Sequence, residues 1–472
     1  MVDSIFQKIW SNSPYVKEEN AYKQLVDLTQ DLIKLYDQQG RLSENPFEPS
    51  RKRTLSLPLE EIKGELENKI CLVTGGLGYV GRTLIGDLLK FNVSKIFIVD
   101  IKSPSQQIQA LFGEKVQYIQ CDIRDEKFIA DCIKNCQPEI VFHTAAIRDP
   151  GYAENHIIET VQTNAIGTWN LVNACENTPS VKKLVFSSTG KASRYLTDEI
   201  YASTKKICEN IFDTFSQIGR INYGMVRFTH IYDNSLMDLE LSNTAETGDY
   251  VRIHSPGKFV TAQNLSEASY LMLNALVYME PKQCNFLLVR YLEWPVESLE
   301  VALYYIKKSG RKIPIVFSGN PKGYKEKFFR GQLDWNKPSE LNLLINVYEN
   351  QKRKINKAGD IIISSIIPGK KDTLFELIKD LKNNEDPNKL KEILYTGSKK
   401  LLEESLKIVN PKDTVNILKW GISPKFLEAE KTTIDDYGHV VPILVNSLKD
   451  SEYIKEIQSL LPQQKEFVEI KK

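Results

Sequence analysis

Residues 69–90, KICLVTGGLGYVGRTLIGDLLK, decide the fold of this chain. An apolar run predicts a strand that leads directly into a glycine-rich turn, and an apolar helical pattern follows. Glycines let the backbone turn tightly and approach a pyrophosphate, which would rest on the N-terminus of the helix. Strand, glycine turn and helix in this order predict a dinucleotide-binding unit. The turn residues expected to contact the dinucleotide are Gly75, Gly78, Tyr79, Val80 and Gly81.

The choice of dinucleotide depends on the next strand, which is predicted at residues 95–99 and ends at Asp100. This carboxylate follows Gly81 by roughly 20 residues, close to the position where an acid binds the adenosine ribose hydroxyls. Asp100 therefore favours NAD. Lys102 could instead neutralise the 2′-phosphate of NADP, so both dinucleotides stay open.

Two further strands are predicted at residues 116–121 and 139–143, and residues typical of a cofactor site follow each. An acid and an apolar residue after the first strand commonly flank the adenine, and small residues after the second let the backbone approach the cofactor. His143 ends the second strand and is interpreted as a packing residue. Because strands and helices alternate with short turns, the sequence predicts an α/β fold with a parallel, doubly wound sheet. The residues expected at the cofactor are Asp122, Ile123, Ala145 and Ala146.

A second stretch, residues 186–206, FSSTGKASRYLTDEIYASTKK, carries the pattern of a proton relay. Tyr201 and Lys205 are four residues apart and share one face of a predicted helix. A lysine ammonium favours the phenolate, so the tyrosine could exchange a proton with a substrate alcohol near neutral pH. Thr189 would supply a hydroxyl group opposite the tyrosine phenol. The Tyr-x-x-x-Lys pattern alone is weak, and its value comes from the glycine turn upstream.

The bulk composition is that of an ordinary globular protein, with 472 residues, 42% hydrophobic, 26% charged and a net charge of +1. This charge gives no general attraction to nucleic acid or to anionic membranes. Seven scattered cysteines indicate reduced thiols and a cytoplasmic enzyme, and Cys132 and Cys136 are interpreted as packing thiols rather than metal ligands. We expect neither a signal peptide nor a membrane span, because no apolar run reaches about 18 residues.

The chain is divided into three predicted parts. Residues 1–66 form a helical N-terminal extension and linker, residues 67–335 the dinucleotide-binding domain with an interleaved substrate lobe, and residues 336–472 a helical C-terminal extension. The apolar spacing predicts a helix at residues 18–39 of the first part. A lone helix of this length is marginal in water, so it is expected to pack on the main domain or on a second subunit. We expect a homo-oligomer.

Five stretches, taken together in this order and spacing, resemble the capsular-polysaccharide and flagellin-glycosylation branch of the nucleotide-sugar epimerases and dehydratases. These are VTGGLGYVG, HTAAIRDPGYAENHIIETVQTNAIGTWNLVNAC, SSTGKA with YASTKK, HSPGKFVTAQNLSEASYLML and IPIVFSGNPKGYKEKFF. The branch consists of extended short-chain dehydrogenases that act on UDP-N-acetylhexosamines. The resemblance covers roughly residues 69–405 and implies a Rossmann-type fold, NAD or NADP, and a UDP-sugar substrate.

The resemblance also implies roles for individual residues. Thr189 matches the catalytic hydroxyl of the family, Tyr201 its base, and Lys205 its lysine, which also binds the cofactor. The reaction would begin at the sugar 4-hydroxyl, whose proton Tyr201 takes while hydride leaves carbon 4. Residues that would contact the substrate are Arg148, Glu154, Asn164, His230 and Lys325.

Two departures from the family pattern bear on the reaction. In the dehydratases an Asp-Lys pair follows the threonine: the acid protonates the leaving 6-hydroxyl and the lysine takes the carbon-5 proton. This chain has Gly190 and Lys191, so the lysine is kept as a catalytic candidate and the acid is lost. Asp198 and Glu199 could supply an acid, but they are interpreted as helix-start carboxylates. Beyond the strand at residues 223–228, a family Gly-Asn pair is replaced by Thr229 and His230.

The resulting hypothesis is an NAD(P)-dependent epimerase or dehydrogenase of a nucleotide sugar, with water elimination in doubt because Gly190 replaces the acid. General-acid assistance typically contributes 10²–10⁴ in rate, so its loss weighs against a dehydratase. An alternative is a ketoreductase or dehydrogenase acting on a non-sugar biosynthetic intermediate. A non-catalytic scaffold that keeps the fold is a third possibility, against which the complete Thr189, Tyr201 and Lys205 set argues.

Overall fold

The computed structural model describes residues 2–106, 113–234, 236–324 and 327–461. Within this described part, the chain forms two compact units. The smaller unit comprises Met1–Leu55, Thr229–Ala268 and Leu292–Lys325, and the larger unit comprises Ser56–Phe228, Ser269–Tyr291 and Glu326–Lys472. None of the helices in the described ranges is long and apolar enough to cross a membrane.

The larger unit is built on a sheet for which the described residues supply nine strands, in the order β14-β15-β11-β6-β5-β4-β1-β2-β3. The strands from β3 to β11 pair in parallel, whereas β15 and β14 run antiparallel at one edge. The strands are β1 (Ile70–Thr74), β2 (Lys95–Asp100), β3 (Val116–Gln120), β4 (Ile140–His143), β5 (Lys183–Thr189), β6 (Asn222–Phe228), β11 (Asn285–Val289), β14 (Lys354–Ile355) and β15 (Ile361–Ser365).

Helices accompany this sheet throughout the larger unit. They are α4 (Leu59–Leu66), α5 (Tyr79–Leu88), α6 (Glu126–Cys136), α7 (Pro150–Asn155), α8 (Ile157–Thr160), α9 (Gly167–Glu176), α10 (Ile200–Ile218), α12 (Leu265–Val277), α14 (Val347–Gln351), α15 (Lys371–Lys382), α16 (Pro387–Ser405), α17 (Pro411–Gly421), α18 (Pro424–Ala429), α19 (Val441–Asn446) and α20 (Ile454–Leu460). A π-helical segment, Val161–Ile166, joins α8 to α9. Most residues of α12 belong to this unit.

The order of the strands in the sheet indicates where a ligand would bind. In a doubly wound sheet, ligands bind at the carboxyl ends of the strands where the strand order reverses. Here that point lies between β1 and β4, which pair through Cys71 with Ile140 and Thr74 with His143. The central strands are buried almost throughout, as expected for parallel strands covered on both faces. The parallel doubly wound α/β fold predicted from the sequence is confirmed.

The smaller unit has a core of its own in which the N-terminal helices take part. Its elements are α1 (Val2–Asn12), α2 (Glu19–Gln38), α3 (Glu48–Lys52), β7 (His230–Ile231), α11 (Leu236–Thr247), β8 (Val251–Ile253), β9 (Phe259–Val260), β10 (Ala262–Gln263), β12 (Val296–Glu297), α13 (Ser298–Ser309) and β13 (Ile315–Phe317). Leu25 and Leu32 of α2 are fully buried with Leu303 and Ile306 of α13.

Hydroxyl groups on the N-terminal helices also bind the free edge of β13, whose other edge pairs with β8. The Thr29 hydroxyl accepts a hydrogen bond from the Ile315 N–H at 2.9 Å, and the Ser13 hydroxyl accepts one from the Phe317 N–H at 2.9 Å. Buried backbone N–H groups require such partners. Residues 1–55 are therefore an integral part of this unit.

In two segments the apolar spacing typical of a helix begins before the helix does. Over residues 261–278 the spacing predicts a helix, but the helix begins at Leu265, because Ala262–Gln263 pairs as a strand with β7. A helix is also predicted by the spacing over residues 296–310, but Val296–Glu297 pairs with β9 and the helix begins at Ser298. Short apolar runs do not distinguish a strand from the first turn of a helix.

Candidate active site

The turn between β1 and α5 brings backbone segments into close contact. Gly75 has a φ of 68°, and a Cβ atom there would lie 2.6 Å from the backbone nitrogen of Ala145. A Cβ atom on Gly81 would lie 2.6 Å from the carbonyl oxygen of Gly75. Helix α5 begins directly after Gly78, and the first N–H groups of a helix bind anions. This arrangement fits the pyrophosphate of a dinucleotide.

Asp100 ends β2 beside this turn. Its carboxylate accepts hydrogen bonds from the Leu77 N–H and the Lys102 N–H, both at 3.1 Å. The side chain is half-buried, so it can still accept a hydrogen bond from a ligand hydroxyl. Lys102 is exposed next to it. The geometry is therefore compatible with a ribose hydroxyl or with a 2′-phosphate.

The residues predicted to flank the adenine follow β3. The Arg124 guanidinium binds the Asp122 carboxylate, with its Nε and Nη2 atoms 2.8 and 2.6 Å from Oδ2. Ile123 is buried and packs against Gly167. A Cβ atom on Gly167 would lie 2.7 Å from Cγ1 of Ile123. Asp122 and Ile123 follow β3, Asp100 ends β2, and Ala145 follows β4. Since β3, β2, β1 and β4 are neighbouring parallel strands, these residues lie at the same edge of the sheet.

Thr189, Tyr201 and Lys205 come together where β5 meets helix α10. The Tyr201 hydroxyl is hydrogen-bonded to the Thr189 side chain, and this bond opposes a rise in the Tyr201 pKa. Lys205 is buried, and its Nζ atom donates a hydrogen bond to the Ser187 carbonyl at 2.7 Å. The ammonium also lies 4.3 Å from the centre of the Phe186 ring. The hydroxyl, phenol and lysine predicted from the sequence therefore form one cluster.

The electrostatics of this cluster are dominated by burial. Burial raises the pKa of Tyr201 to about 12, while the Thr189 hydrogen bond and the Arg148 charge act in the opposite direction. Burial lowers the pKa of Lys205 to about 8, opposed by nearby Cys208 and Glu209. The lysine thus remains largely an ammonium at neutral pH, and the phenol remains protonated until a further influence favours the phenolate.

The His143 side chain is held in the core between two threonine hydroxyls. Its ring nitrogens lie 2.7 Å from the Thr74 hydroxyl and 2.9 Å from the Thr168 hydroxyl, and the side chain is fully buried. Burial, and secondarily the Lys205 charge, lower the pKa of His143 to about 3. The ring is therefore neutral and ties β4 to β1 and α9, as the packing interpretation predicts.

Asn164 and Glu154 both make contacts that position helix α10. The Asn164 side chain accepts from the Ile147 N–H at 2.8 Å and donates to the Ile147 carbonyl at 3.0 Å and the Thr204 hydroxyl at 3.2 Å. Asn164 lies in the π-helical segment, a feature that often marks functional sites. The Glu154 carboxylate accepts from the Ile200 N–H at 2.8 Å, at the first residue of α10.

The loop between β5 and α10 shows more than the loss of one acidic residue. A Cβ atom on Gly190 would lie 2.6 Å from Cγ of Leu344, a buried residue, so the space beside Gly190 is filled. Glu199 stands at the start of α10 as predicted, yet its side chain makes no capping hydrogen bond. Its carboxylate instead binds the Lys191 ammonium at 2.6 Å and the Arg194 guanidinium at 2.9 Å.

The structure adds residues that the sequence analysis did not identify. Gln332 donates a hydrogen bond to the Ser193 hydroxyl at 2.7 Å, and Asn346 donates one to the Ser193 carbonyl at 3.0 Å. Together with Leu344, these side chains fix the loop from more than a hundred residues away in the chain. Because no local pattern connects them to the loop, only the folded structure could identify them.

A buried charge cluster lies behind the active-site strand. Arg227 is fully buried and binds both Glu209, at 2.7 and 2.8 Å, and Glu349, at 2.6 and 2.7 Å. The Ser188 hydroxyl, next to Thr189, donates to Glu209 at 2.7 Å. Buried charges persist when they are paired in this way. The cluster thus connects β5, β6, α10 and α14.

Two further residues were predicted to contact the substrate. His230 belongs to the smaller unit, where it lies in β7 opposite Ala262 and stacks on Phe47 with ring centres 6.4 Å apart. Lys325 lies outside the described residues. All seven cysteines are free and buried. Within the described ranges, no group of three or more His, Cys, Asp or Glu side chains could hold a metal ion.

Comparison with known proteins gives one matching family model, described as "Polysaccharide biosynthesis protein", which covers residues 71–327 and hence more than half of the chain. The chain is 25% identical over 331 residues to the capsular polysaccharide biosynthesis protein CapD of Staphylococcus aureus, covering 63% of this chain and 54% of that protein. It is 28% identical over 170 residues to a UDP-N-acetylglucosamine 4,6-dehydratase (inverting) of Campylobacter jejuni, covering 34% of this chain and 49% of the relative.

The chain therefore spans about half the length of these curated relatives. Among solved structures, the X-ray structure of Pen from Bacillus thuringiensis superposes with a TM-score of 0.52 at 20% identity, covering 63% of this chain and 89% of Pen. At this level of identity the likeness establishes the fold.

Proposed function

The chain belongs to the polysaccharide biosynthesis protein family, as its resemblance to the CapD-like extended short-chain dehydrogenases predicted, and we propose that it is an NAD(P)-dependent enzyme that modifies a nucleotide-activated sugar. The substrate is a UDP-sugar of the N-acetylhexosamine type. The reaction is an epimerisation or oxidation that begins at carbon 4. The relative whose name includes UDP-N-acetylglucosamine supports this substrate class.

The observation that carries the proposal is the cluster of Thr189, Tyr201 and Lys205. A phenol hydrogen-bonded to a second hydroxyl, with a buried lysine one helical turn away, is the arrangement that a proton relay requires. In this role the Tyr201 Oη atom takes the proton of the sugar 4-hydroxyl. The Thr189 hydroxyl holds the oxygen of the sugar 4-hydroxyl in place. The Lys205 ammonium and the Arg148 guanidinium stabilise negative charge on the phenol.

The dinucleotide would lie along the carboxyl edge of β3, β2, β1 and β4. Its pyrophosphate would lie at the turn from Gly75 to Gly81, its ribose at Asp100, and its adenine beside Asp122 and Ile123. The bound nicotinamide supplies hydride transfer to and from carbon 4. The carboxylate of Asp100 supports NAD, and exposed Lys102 keeps NADP as the second candidate.

The substrate side of the site is proposed to include Arg148, Glu154 and Asn164 of the larger unit. Arg148 is exposed, and its charge acts on Tyr201. Asn164 positions the backbone of Ile147, which precedes Arg148 in the chain. Glu154 acts by holding the first N–H of helix α10. His230 and Lys325 are proposed as further contacts on the basis of the family resemblance alone.

The decisive experiment incubates the purified protein with a panel of UDP-hexoses and UDP-N-acetylhexosamines, with and without NAD or NADP. Mass spectrometry and NMR of the sugar then identify the product. A new 4-epimer of unchanged mass, or an oxidised sugar with stoichiometric NAD(P)H, is the expected result. A Tyr201→Phe preparation is the matched control, since it keeps the fold and removes only the phenol hydroxyl.

Two outcomes would contradict the proposal. Loss of one water from the UDP-sugar would show a dehydratase. Absence of turnover with every UDP-sugar, together with reduction of a non-sugar ketone by NAD(P)H, would favour the ketoreductase alternative. The panel should therefore include simple ketones with the reduced dinucleotides.

A further inference from the structure

The Asp100 carboxylate is held by the backbone on two sides. Strand β2 ends at Asp100, and the loop of residues 101–103 follows it. The Asp100 Oδ2 atom accepts a hydrogen bond from the Leu77 N–H, in the turn between β1 and α5, and Oδ1 accepts one from the Lys102 N–H, both at 3.1 Å. Each carboxylate oxygen has its own backbone donor, so the orientation of the side chain is fixed.

Two side chains of β3 hold the loop after β2 from the neighbouring strand. The strands pair in parallel, with Gln120 opposite Asp100. The Tyr118 hydroxyl donates a hydrogen bond to the Lys102 carbonyl and lies 3.3 Å from the Asp100 carbonyl. The Gln120 Nε2 atom donates to the Ile101 carbonyl at 3.1 Å. The carbonyls of three consecutive residues are therefore held by two side chains that share one face of β3.

Tyr118 and Gln120, together called the β3 clamp, act on a loop that lies at the surface. Residues 101–103 are exposed, and so is Gln120, which also accepts a hydrogen bond from the Ser103 hydroxyl at 3.2 Å. Surface loops without such bonds are mobile. Both backbone groups of Lys102 are engaged, the N–H by Asp100 and the carbonyl by Tyr118. The clamp therefore gives an exposed loop one conformation.

A carboxylate fixed in this way distinguishes the two dinucleotides. NAD has a hydroxyl at the 2′-position of the adenosine ribose, whereas NADP has a phosphate with a charge of about −1.5 to −2 at neutral pH. A carboxylate accepts a hydrogen bond from the hydroxyl, but it repels the phosphate and offers it no donor. For NADP to bind, Asp100 must turn away, which breaks its bonds to the Leu77 and Lys102 N–H groups. While the clamp holds, the loop cannot move with the carboxylate.

We propose that Tyr118 and Gln120 are positioning residues that make the site selective for NAD over NADP by keeping the Asp100 carboxylate at the ribose. The inference rests on the dinucleotide site of the proposed function. Release of the clamp lets Asp100 and the backbone of Lys102 shift together, so that the lysine becomes a partner for a 2′-phosphate. The choice between the two dinucleotides is therefore made by side chains of β3 that touch neither of them.

The test compares the dissociation constants of NADH and NADPH, measured by fluorescence titration of the full chain. The wild type should bind NADH at least about tenfold more tightly than NADPH. Tyr118→Phe combined with Gln120→Ala removes the clamp and keeps Asp100. This variant should bind NADH more weakly and NADPH as well as the wild type or better, so the preference should fall by at least about threefold. A merely structural role would weaken both equally and leave the ratio unchanged.

Two further variants complete the comparison. Gln117→Ala is the matched control, because Gln117 is an exposed residue on the opposite face of β3. It should leave both dissociation constants unchanged. Lys102→Ala, added to the clamp variant, should weaken NADPH binding at least about threefold more than NADH binding, because the released lysine is then the partner of the 2′-phosphate. Circular dichroism melting curves establish that each variant is folded.

The outcomes separate this inference from the function on which it rests. Wild-type protein that binds NADPH as tightly as NADH overturns the selectivity, and an unchanged ratio in the clamp variant overturns the role of Tyr118 and Gln120. In both cases the proposed function stands. If the wild type binds neither dinucleotide, the proposed function falls and the inference falls with it. Tyr118→Phe alone, which keeps the aromatic ring, gives the same test if the double variant does not fold.

Discussion

The turn at residues 75–81 and the loop at residues 190–199 each contain a glycine that leaves no room for a Cβ atom, but their neighbours differ. At Gly81 the obstructing atoms are backbone atoms of the turn itself, and at Gly75 they are backbone atoms of Thr144 and Ala145, directly after β4. At Gly190 the obstructing atom is Cγ of Leu344, a side chain from a distant part of the chain. The turn is therefore closed by backbone atoms, its own and those that follow β4, whereas the loop is closed by a side chain.

This difference also separates binding from chemistry. The turn offers backbone N–H groups to a dinucleotide, whereas the loop joins Thr189 to Tyr201, two residues of the proposed proton relay. Changes in the two regions should therefore affect different measurements.

The largest effect is expected for Tyr201→Phe. Removal of the phenol hydroxyl eliminates the proposed proton acceptor, so turnover should fall by about 10³-fold or more, within the range typical of general acid–base residues. The affinity for NAD(P), measured by fluorescence titration, should be nearly unchanged. If the variant lost dinucleotide affinity as strongly as turnover, the separation of binding from chemistry would fail.

Gly81→Ala tests the turn in the same way. Its Cβ atom would meet backbone at 2.6 Å, and such overpacking costs about 1–3 kcal/mol. Taken entirely from binding, this cost corresponds to roughly 5- to 150-fold weaker dinucleotide affinity. Gly86→Ala is the matched control in the same helix, because no atom lies within 4 Å of its Cβ position. It should leave affinity intact and stabilise the helix by about 0.5–1 kcal/mol. Equal affinity losses in both variants would contradict the contact at Gly81.

The pH dependence should also differ between the two regions. Burial lowers the pKa of Lys205 to about 8, so the ammonium is present below this pH and is lost above it. Because the proposed relay needs the ammonium, kcat/KM should fall about tenfold per pH unit above pH 8. Dinucleotide binding through backbone N–H groups should stay constant over the same range. A flat kcat/KM profile up to pH 10 would contradict the role of Lys205.

The smallest effect is expected for the energetic coupling between Gly190 and Leu344. Gly190→Ala should destabilise the protein by about 1–3 kcal/mol through overpacking, and Leu344→Ala by about 2–5 kcal/mol through the cavity it creates. In the double variant the new methyl group enters that cavity, so the two costs should not add, with a coupling of about 0.5–3 kcal/mol in urea unfolding. Gly64→Ala, which meets no atom within 4 Å, should be additive with Leu344→Ala.

The same contrast explains how much the sequence could predict. The glycine spacing, Asp100 and the alternation of strands and helices depend on near neighbours, and they led correctly to the doubly wound sheet. The Thr189, Tyr201 and Lys205 cluster was predictable because it needs only one strand end and one helical turn. The ion pair of Glu199 with Lys191 and the filling of the space beside Gly190 depend on loop geometry and on Leu344, which no local pattern encodes.

The packing of residues 1–55 has a consequence for folding during synthesis. Helix α2 leaves the ribosome roughly 260 residues before helix α13, which covers its apolar side chains in the finished protein. At about 5–20 residues per second, the delay lasts roughly 10 to 50 seconds. During this interval Leu25 and Leu32 lack their final partners, and a nascent apolar face of this kind aggregates readily or binds chaperones. The N-terminal helices therefore depend on protection until synthesis has passed residue 317.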